Sequence, residues 1–198
     1  MADTRRKVGN LLALFVLAEL MAGPKHPYEL GRLLAEHGKD RSVKYTRSTL
    51  YTVVEQLVGA GFIVERETLR DTARPERTVY GITETGRSEL RDWLCDLVAT
   101  PRPEYPSFGA ALSLIMVLAP AEAVDMLRRR LMTLDRQANE IRGTLDDSAG
   151  VEWVFLVDEQ FRLEMLDTER RFVAHLIDSL AAPEYDQAWL KVVEGFQT

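Results

Sequence analysis

The chain has 198 residues, 25 Lys+Arg against 31 Asp+Glu for a formal charge of −6, and 46 % hydrophobic residues. That length accommodates one large domain, or a small one plus an accessory, with a buried core, and the single cysteine, Cys95, excludes an intramolecular disulfide and a multi-cysteine zinc site. Net acidity argues at first sight against nucleic acid, because phosphate neutralisation supplies most non-specific DNA affinity, but the charge is split: residues 1–100 carry 15 Lys+Arg against 14 Asp+Glu, and residues 101–198 carry 10 against 17.

The chain starts with Arg5, Arg6 and Lys7 in a stretch without apolar pattern, which reads as a solvated end or a DNA-touching arm. The run LLALFVLAEL that follows is broken by Glu19. It is far short of the roughly 20 residues a membrane span needs and has no cleavage site suited to a signal peptide. It is better used as a core helix from about Val8 to Ala22, stopped by Gly23 and Pro24, and a soluble, cytoplasmic chain with no membrane partner is expected. A second helix starts at Pro27, which suits the first helical position, and ends at Gly38, with Tyr28, Leu30, Leu33 and Leu34 packed on the first. Tyr28 reads as a core tyrosine. Residues 39–45 form the turn into the next helix.

From Thr46, which can cap a first turn, Leu50, Val53, Val54, Leu57 and Val58 fall at the spacing of a one-sided helical stripe, and Gly59 and Gly61 close it. FIVERET then alternates as a half-buried strand, with Phe62 and Val64 on one side and Ile63 and Glu65 on the other. Arg77 to Ile82 reads as the returning strand, so residues 69–76 make an arginine-rich hairpin loop. Helix, strand, basic loop and strand form the second half of a winged helix-turn-helix, whose helix enters the DNA major groove while the wing lies along the adjacent backbone.

The segments STLYTVVEQLVGAGFI and RPERTVYGITETGRSEL resemble the signature of the PadR family of bacterial transcriptional regulators, in which a leucine-tyrosine pair opens the recognition helix. The family's wing leads from a Gly-Arg-Pro or Arg-Arg turn to a Tyr-x-Leu-Thr-x-x-Gly run. Here Ala73 stands where glycine is usual and Ile82 where leucine is usual, and neither departure removes a charge. Tyr28 lies in a matching Tyr-Glu-Leu motif. The resemblance covers the first half closely and the second half in its pattern of helices. It implies a homodimeric repressor with a helical C-terminal dimerisation domain, released by a small, often aromatic effector.

Thr83 caps a fourth helix to about Ala99, with Leu90, Trp93, Leu94 and Leu97 on one side. The prolines of PRPEYP make residues 100–106 a stiff linker between a DNA-binding domain over 1–99 and a helical domain over 107–198. The fold class expected is mainly α: a winged helix-turn-helix with a two-stranded β wing, then an all-helical domain. In the latter, helices are predicted over Ser107–Leu118, Pro120–Asp147 and Val151–Ala181, with a short one after Pro183. Val124, Leu127, Leu131, Leu134, Ala138, Ile141 and Leu145 follow an a/d heptad seam, the pattern of a coiled coil. Its partner is either the next helix, through Phe155, Phe161, Met165, Phe172, Leu176 and Leu180 across a turn at Gly143–Gly150, or a second subunit. The dimerisation candidates are Val124, Leu127, Leu131, Leu134 and Ile141.

For base reading the candidates are Ser48, Thr52 and Glu55, opposite the apolar stripe, with Thr49 and Tyr51 on its flanks. Lys44, Tyr45 and Arg47 stand at the helix entrance, beside Lys39 and Arg41 and opposed there only by Asp40, where phosphate would be met. The wing adds Arg70, Arg74 and Arg77. For each of these cations a solvated surface charge is the competing reading. Trp93 and Trp153 could stack on a flat effector or belong to core and interface, and Trp189 reads as the anchor of the last helix. His26, His37 and His175 lack metal-ligand spacing, His175 reading as a core histidine. No nucleophile elbow or phosphate loop points to an enzyme, and neither metal nor cofactor is expected. Two readings remain: a regulator binding a pseudo-palindromic double-stranded operator with half-sites about one helical turn, roughly 10 bp, or a multiple apart, and a winged-helix adaptor for protein contact with no operator of its own.

Overall fold

The computed structural model describes residues 7–69, 77–182, 189 and 191, with the side chains of 67–69 and 77 outside the described set. The chain divides into two compact units, Met1–Pro103 and Glu104–Thr198. The first contains helices α1 (Leu11–Met21), α2 (Pro27–Glu36) and α3 (Arg47–Gly59), strands β1 (Ile63–Leu69) and β2 (Arg77–Ile82), and helix α4 (Glu84–Ala99). The second contains α5 (Ser107–Leu112), α6 (Pro120–Asp147) and α7 (Val157–Leu180). The sequence expectation of a mainly α chain, with a winged N-terminal region and a helical C-terminal one, holds.

In the first unit α1 is buried along most of its length, with Leu12, Val16 and Leu17 fully enclosed. It starts at Leu11 rather than Val8 because the Asn10 side-chain oxygen accepts the Leu12 N–H and sets the cap there. Helix α2 stops at Glu36, and Gly38 takes a left-handed φ of 65° that leads into a single 3-10 turn over Lys39–Arg41. On α3, Leu50, Val53, Val54 and Leu57 are buried, whereas Val58 is exposed. Eight residues of helix carry Val58 about 80° round from Leu50, past the edge of the core-facing stripe.

The turn from α3 into β1 changes the expected facing of the strand. The Gly61 N–H donates to the Val58 carbonyl at 2.9 Å and the Phe62 N–H to the Leu57 carbonyl at 3.0 Å, with Gly61 at φ 76°. These two bonds form a Schellman closure, in which the residue after the glycine packs back on the helix. Phe62 is therefore spent on the core before the strand begins, and the alternation starts afresh: Ile63 is buried like Phe62, and Val64 faces outward. Strands β1 and β2 pair antiparallel, with Ile63 opposite Ile82, and the register slips between Glu65 and Glu67 so that Arg66 forms a bulge. Lys25 and Tyr80 exchange both backbone hydrogen bonds at 3.0 Å, adding one bridge from the α1–α2 connection to β2.

Helix α4 starts where expected. The Gly86 N–H donates to the Thr83 Oγ1 at 3.0 Å, and the Thr83 N–H donates to the Phe62 carbonyl at 3.0 Å. Leu90 and Trp93 are buried and Leu97 packs at the margin of the core, but Leu94 is exposed. The main contact of α4 is with α1, which covers a narrower stripe than the sequence pattern offers.

In the second unit the stretch expected as one helix to Leu118 is broken. The Ser113 hydroxyl donates to the Ala110 carbonyl at 2.7 Å, competing with the backbone ladder, and a 3-10 turn over Ile115–Val117 follows α5. Helix α6 runs straight through Gly143, so the turn begins at Ser148, passes Gly150 at φ 97° and a 3-10 turn over Trp153–Phe155, and delays α7 to Val157. Val124, Leu127 and Leu134 of α6 pack with Val173, Ile177 and Leu180 of α7, with Leu131 at the margin, and Ile141 is buried farther along. The heptad seam is thus occupied within the chain. Of the residues expected to face it from the other side, only Leu180 is buried and Leu176 half-buried, while Phe155, Phe161, Met165 and Phe172 are exposed.

The reason is rotational. Arg142 donates to Asp167 at 2.7 Å, Arg130 pairs with Glu169 at 2.5 Å, and Arg170 pairs with Asp135, so charges flank the seam and the face containing Val173 and Ile177 turns inward. His175 is exposed, not core. The Trp189 indole N–H donates to the Leu118 carbonyl at 3.1 Å, the anchoring role its position suggested, while most of the stretch after Pro183 lies outside the described residues.

Two outcomes test this packing. A Cβ at Gly86 would lie 2.1 Å from the Phe62 carbonyl oxygen, which backbone cannot absorb. Gly86→Ala is expected to cost about 3 kcal/mol of stability, read as a lower urea midpoint for the first unit. Hydrogen bonds from Arg170 and then Arg142 hold the Asp167 carboxyl below its ordinary value of 3.8. Its stabilisation is therefore complete above that value and lost as the pH falls through the lower folded value. Acid unfolding of α6 and α7 followed by circular dichroism should show a shallower dependence on pH in Asp167→Asn.

Candidate nucleic-acid interface

The solvent face of α3 follows from how the helix is held. Its apolar residues are committed to the core, so everything opposite them is outward. Thr46 fixes the first turn: its Oγ1 accepts the Thr49 N–H at 3.2 Å and lies 2.9 Å from the Ser48 Oγ and 2.8 Å from the Thr49 Oγ1. The Thr52 hydroxyl donates to the Ser48 carbonyl at 3.1 Å, which leaves its methyl and oxygen lone pairs outward. Ser48, Thr52 and Glu55 are exposed, and Thr49 and Tyr51 half-buried, the disposition expected from the sequence. Such hydroxyls can donate to or accept from many base edges, and a threonine methyl can rest on a thymine methyl.

Lys44 and Arg47 are both exposed at the amino end of α3, where the helix dipole and uncommitted backbone N–H groups add positive potential. Tyr45 differs. It is half-buried against the core with its hydroxyl 3.4 Å from the Gly31 carbonyl, and burial, then the Asp40 carboxylate, push its phenol above the ordinary range. It is a neutral strut between α2 and α3 rather than an outward group.

Tyr28 also departs from its expected place. It is not core but 59 % exposed, because the buried Pro27 takes the inward position of the first turn of α2 and the His26 Nδ1 caps that turn by accepting the Tyr28 N–H at 3.1 Å. The Arg47 guanidinium lies over two rings, 5.5 Å from the centre of Tyr28 and 5.9 Å from that of Tyr51. Tyr80 sits half-buried behind this face, its phenol pushed up by burial and then by Glu65, Glu55 and Tyr51.

On the wing, Arg70 and Arg74 lie outside the described residues, and Arg77 opens β2 with its side chain outside them. The structure adds an exposed cation that sequence reasoning passed over: Arg66, the bulge residue, whose stem lies across Gly81 so closely that a Cβ there would be 2.8 Å from its Cγ. A bulge depends on the register between strands, for which the sequence carried no signal. The position of Tyr28 likewise depends on the approach of α2 to α3.

The two tryptophans proposed for a flat ligand are in different compact units. Trp93 is packed in the core of the first at 3 % exposure, and Trp153 is exposed in the second. Among the described residues no group of His, Cys, Asp and Glu could hold a metal ion, and no helix is long and apolar enough to cross a membrane.

Comparison with known proteins agrees with this geometry. Residues 16–92 match the sequence model of the Transcriptional regulator PadR-like family. Over 184 residues the chain is 25 % identical to the negative transcriptional regulator PadR of Bacillus subtilis (strain 168), covering 89 % of this chain and 100 % of that one. Its fold matches the crystal structure of Bacillus subtilis PadR in complex with operator DNA, with a TM-score of 0.70 at 20 % identity over 86 % of this chain and 99 % of the other. It also matches that of Bacillus subtilis PadR in complex with p-coumaric acid, with a TM-score of 0.71 at 19 % identity over 87 % and 100 %. Winged-helix architecture and sequence similarity converge: residues 16–92 are similar to the PadR-like family of transcriptional regulators, and the chain shares the fold of Bacillus subtilis PadR.

Proposed function

We propose that the chain is a cytoplasmic, homodimeric repressor that reads a pseudo-palindromic operator through α3 and is released by a small aromatic effector. The observation that carries the reading is the solvent face of α3, where Ser48, Thr49 and Thr52 stand beside the cations Lys44 and Arg47 with the whole helix anchored on the core. Tyr51 joins them as a flanking contact. The wing arginines Arg70, Arg74 and Arg77 are assigned to the flanking phosphates from their sequence positions, as phosphate contacts set register while base contacts set sequence. Repression is supported by the name of the Bacillus subtilis relative, and an aromatic effector by the bound p-coumaric acid of the other structure. For the effector, Trp153 is the exposed ring available for stacking, while the burial of Trp93 supports a packing role.

A homodimer is supported by the outward face of α7. Phe161, Met165 and Phe172 are 64 %, 57 % and 48 % exposed and lie within about 40° of one another round the helix. An apolar stripe of this kind on a folded surface marks an interaction site. The heptad residues Val124, Leu127, Leu134 and Ile141 support the dimer by making the hairpin rigid, since they are buried within one chain.

Titration against duplex from upstream of the chain's own gene, at two salt concentrations, tests the operator assignment. Lys44→Ala should weaken binding to all sequences alike and lower the salt slope by about 1. Ser48→Ala and Thr52→Ala should instead alter sequence preference, each costing roughly 1–3 kcal/mol at the preferred site. Binding that is weak and indifferent to sequence with any duplex would return the adaptor reading. For the dimer, Phe161→Glu should give a monomer by light scattering with its helical content intact, and a dimer that survived this change would place the interface elsewhere.

A further inference from the structure

We propose that Tyr28 is a positioning residue of the DNA interface: with Tyr51 it forms an aromatic clamp, built from α2 and α3 together, that orients the Arg47 guanidinium for a single operator phosphate. The proposal rests on the DNA-binding reading of α3 and extends it to a second helix. An exposed arginine side chain has many rotamers, and fixing it on binding costs affinity unless the free protein already restrains it. Among the described residues no carboxylate pairs with Arg47; the groups over it are the two rings, at 5.5 and 5.9 Å. Both distances lie within the range in which a ring face attracts a cation.

The rings attract the guanidinium without supplying a carboxylate oxygen, so no ion pair consumes the N–H donors from which a phosphate accepts in bidentate fashion. A salt bridge in the same place would have occupied them. Tyr28 has no competing duty in the fold: it is 59 % exposed, while its neighbour Pro27 takes the buried position. Its place is set by the His26 cap on α2, and that of Arg47 by the Thr46 cap on α3, so two capped helix ends bring the three side chains together.

The test uses the full chain and a duplex that the parent recovers from a randomised pool. Tyr28→Ala should weaken binding about five-fold, and Tyr28→Phe, which keeps the ring, should remain within about two-fold of the parent. In an Arg47→Ala background Tyr28→Ala should have no further effect. In the free protein the Arg47 Nε–H proton should show an upfield ring-current shift that Tyr28→Ala reduces and Tyr28→Phe preserves. Parental affinity in Tyr28→Ala, an equal loss in the Arg47→Ala background, or a Tyr28→Phe variant as weak as Tyr28→Ala would each overturn the clamp, the last by assigning the effect to the hydroxyl. If the parent recovers no duplex, the operator reading falls instead. The ring-current shift then decides the clamp, and its absence overturns it.

Discussion

The first unit depends on one backbone corner. The Phe62 carbonyl accepts the Thr83 N–H at 3.0 Å and lies so close to Gly86 that no side chain fits between them. The Thr83 hydroxyl, which caps α4, also lies 2.8 Å from the Gly61 carbonyl. The end of α3, the base of the wing and the start of α4 therefore meet within a few atoms of one another. Anything that α3 or the wing contacts is referred to this junction, because neither can shift without breaking the closure at Gly61 and Phe62. The glycine ending the Thr-x-x-Gly run is there to admit the Phe62 carbonyl.

The same economy governs the outward face of α3. A helix whose apolar side is fully buried has no rotational freedom left, so the direction of Ser48 and Thr52 is decided by Leu50, Val53 and Leu57. Thr46 then ties the amino end, and its oxygen sits among two hydroxyls and an amide. Tyr45 braces this end against α2 through burial and its reach to Gly31. Burial, and then Glu65 and Glu55, raise the Tyr80 phenol as well, and those two carboxylates put negative charge beside the cations. That mixture opposes indiscriminate phosphate binding and favours contacts that are geometrically selective.

In the second unit, α7 carries two apolar stripes, and among the described residues only one is covered. Val173, Ile177 and Leu180 face α6, and Phe161, Met165 and Phe172 face out. Both have helical spacing. The choice is made by the ion pairs that border the seam, where Arg142 and Arg170 share Asp167 and Arg130 also lies over the Phe108 ring. Ion pairs as exposed as these add little stability individually, but they penalise a rotated register, which would separate them and bury charge.

The sequence by itself determined the order and kind of elements in the first unit, the ends of α3 and β2, the caps at Thr46 and Thr83, and the polar composition of the outward face of α3, because these follow from periodicity, capping chemistry and glycine placement within a few neighbouring residues. It also carried the segments whose resemblance to the PadR family the match over residues 16–92 reflects. Only the tertiary structure decided that Phe62 and Ile63 both turn inward, that Tyr28 is a surface group beside Arg47, that Trp93 is core, and that the heptad seam of α6 is closed by Val173 and Ile177. Each of these depends on what a second element places opposite the residue. A local pattern states that a stripe is apolar, and the partner's shape and charge decide whether it is covered.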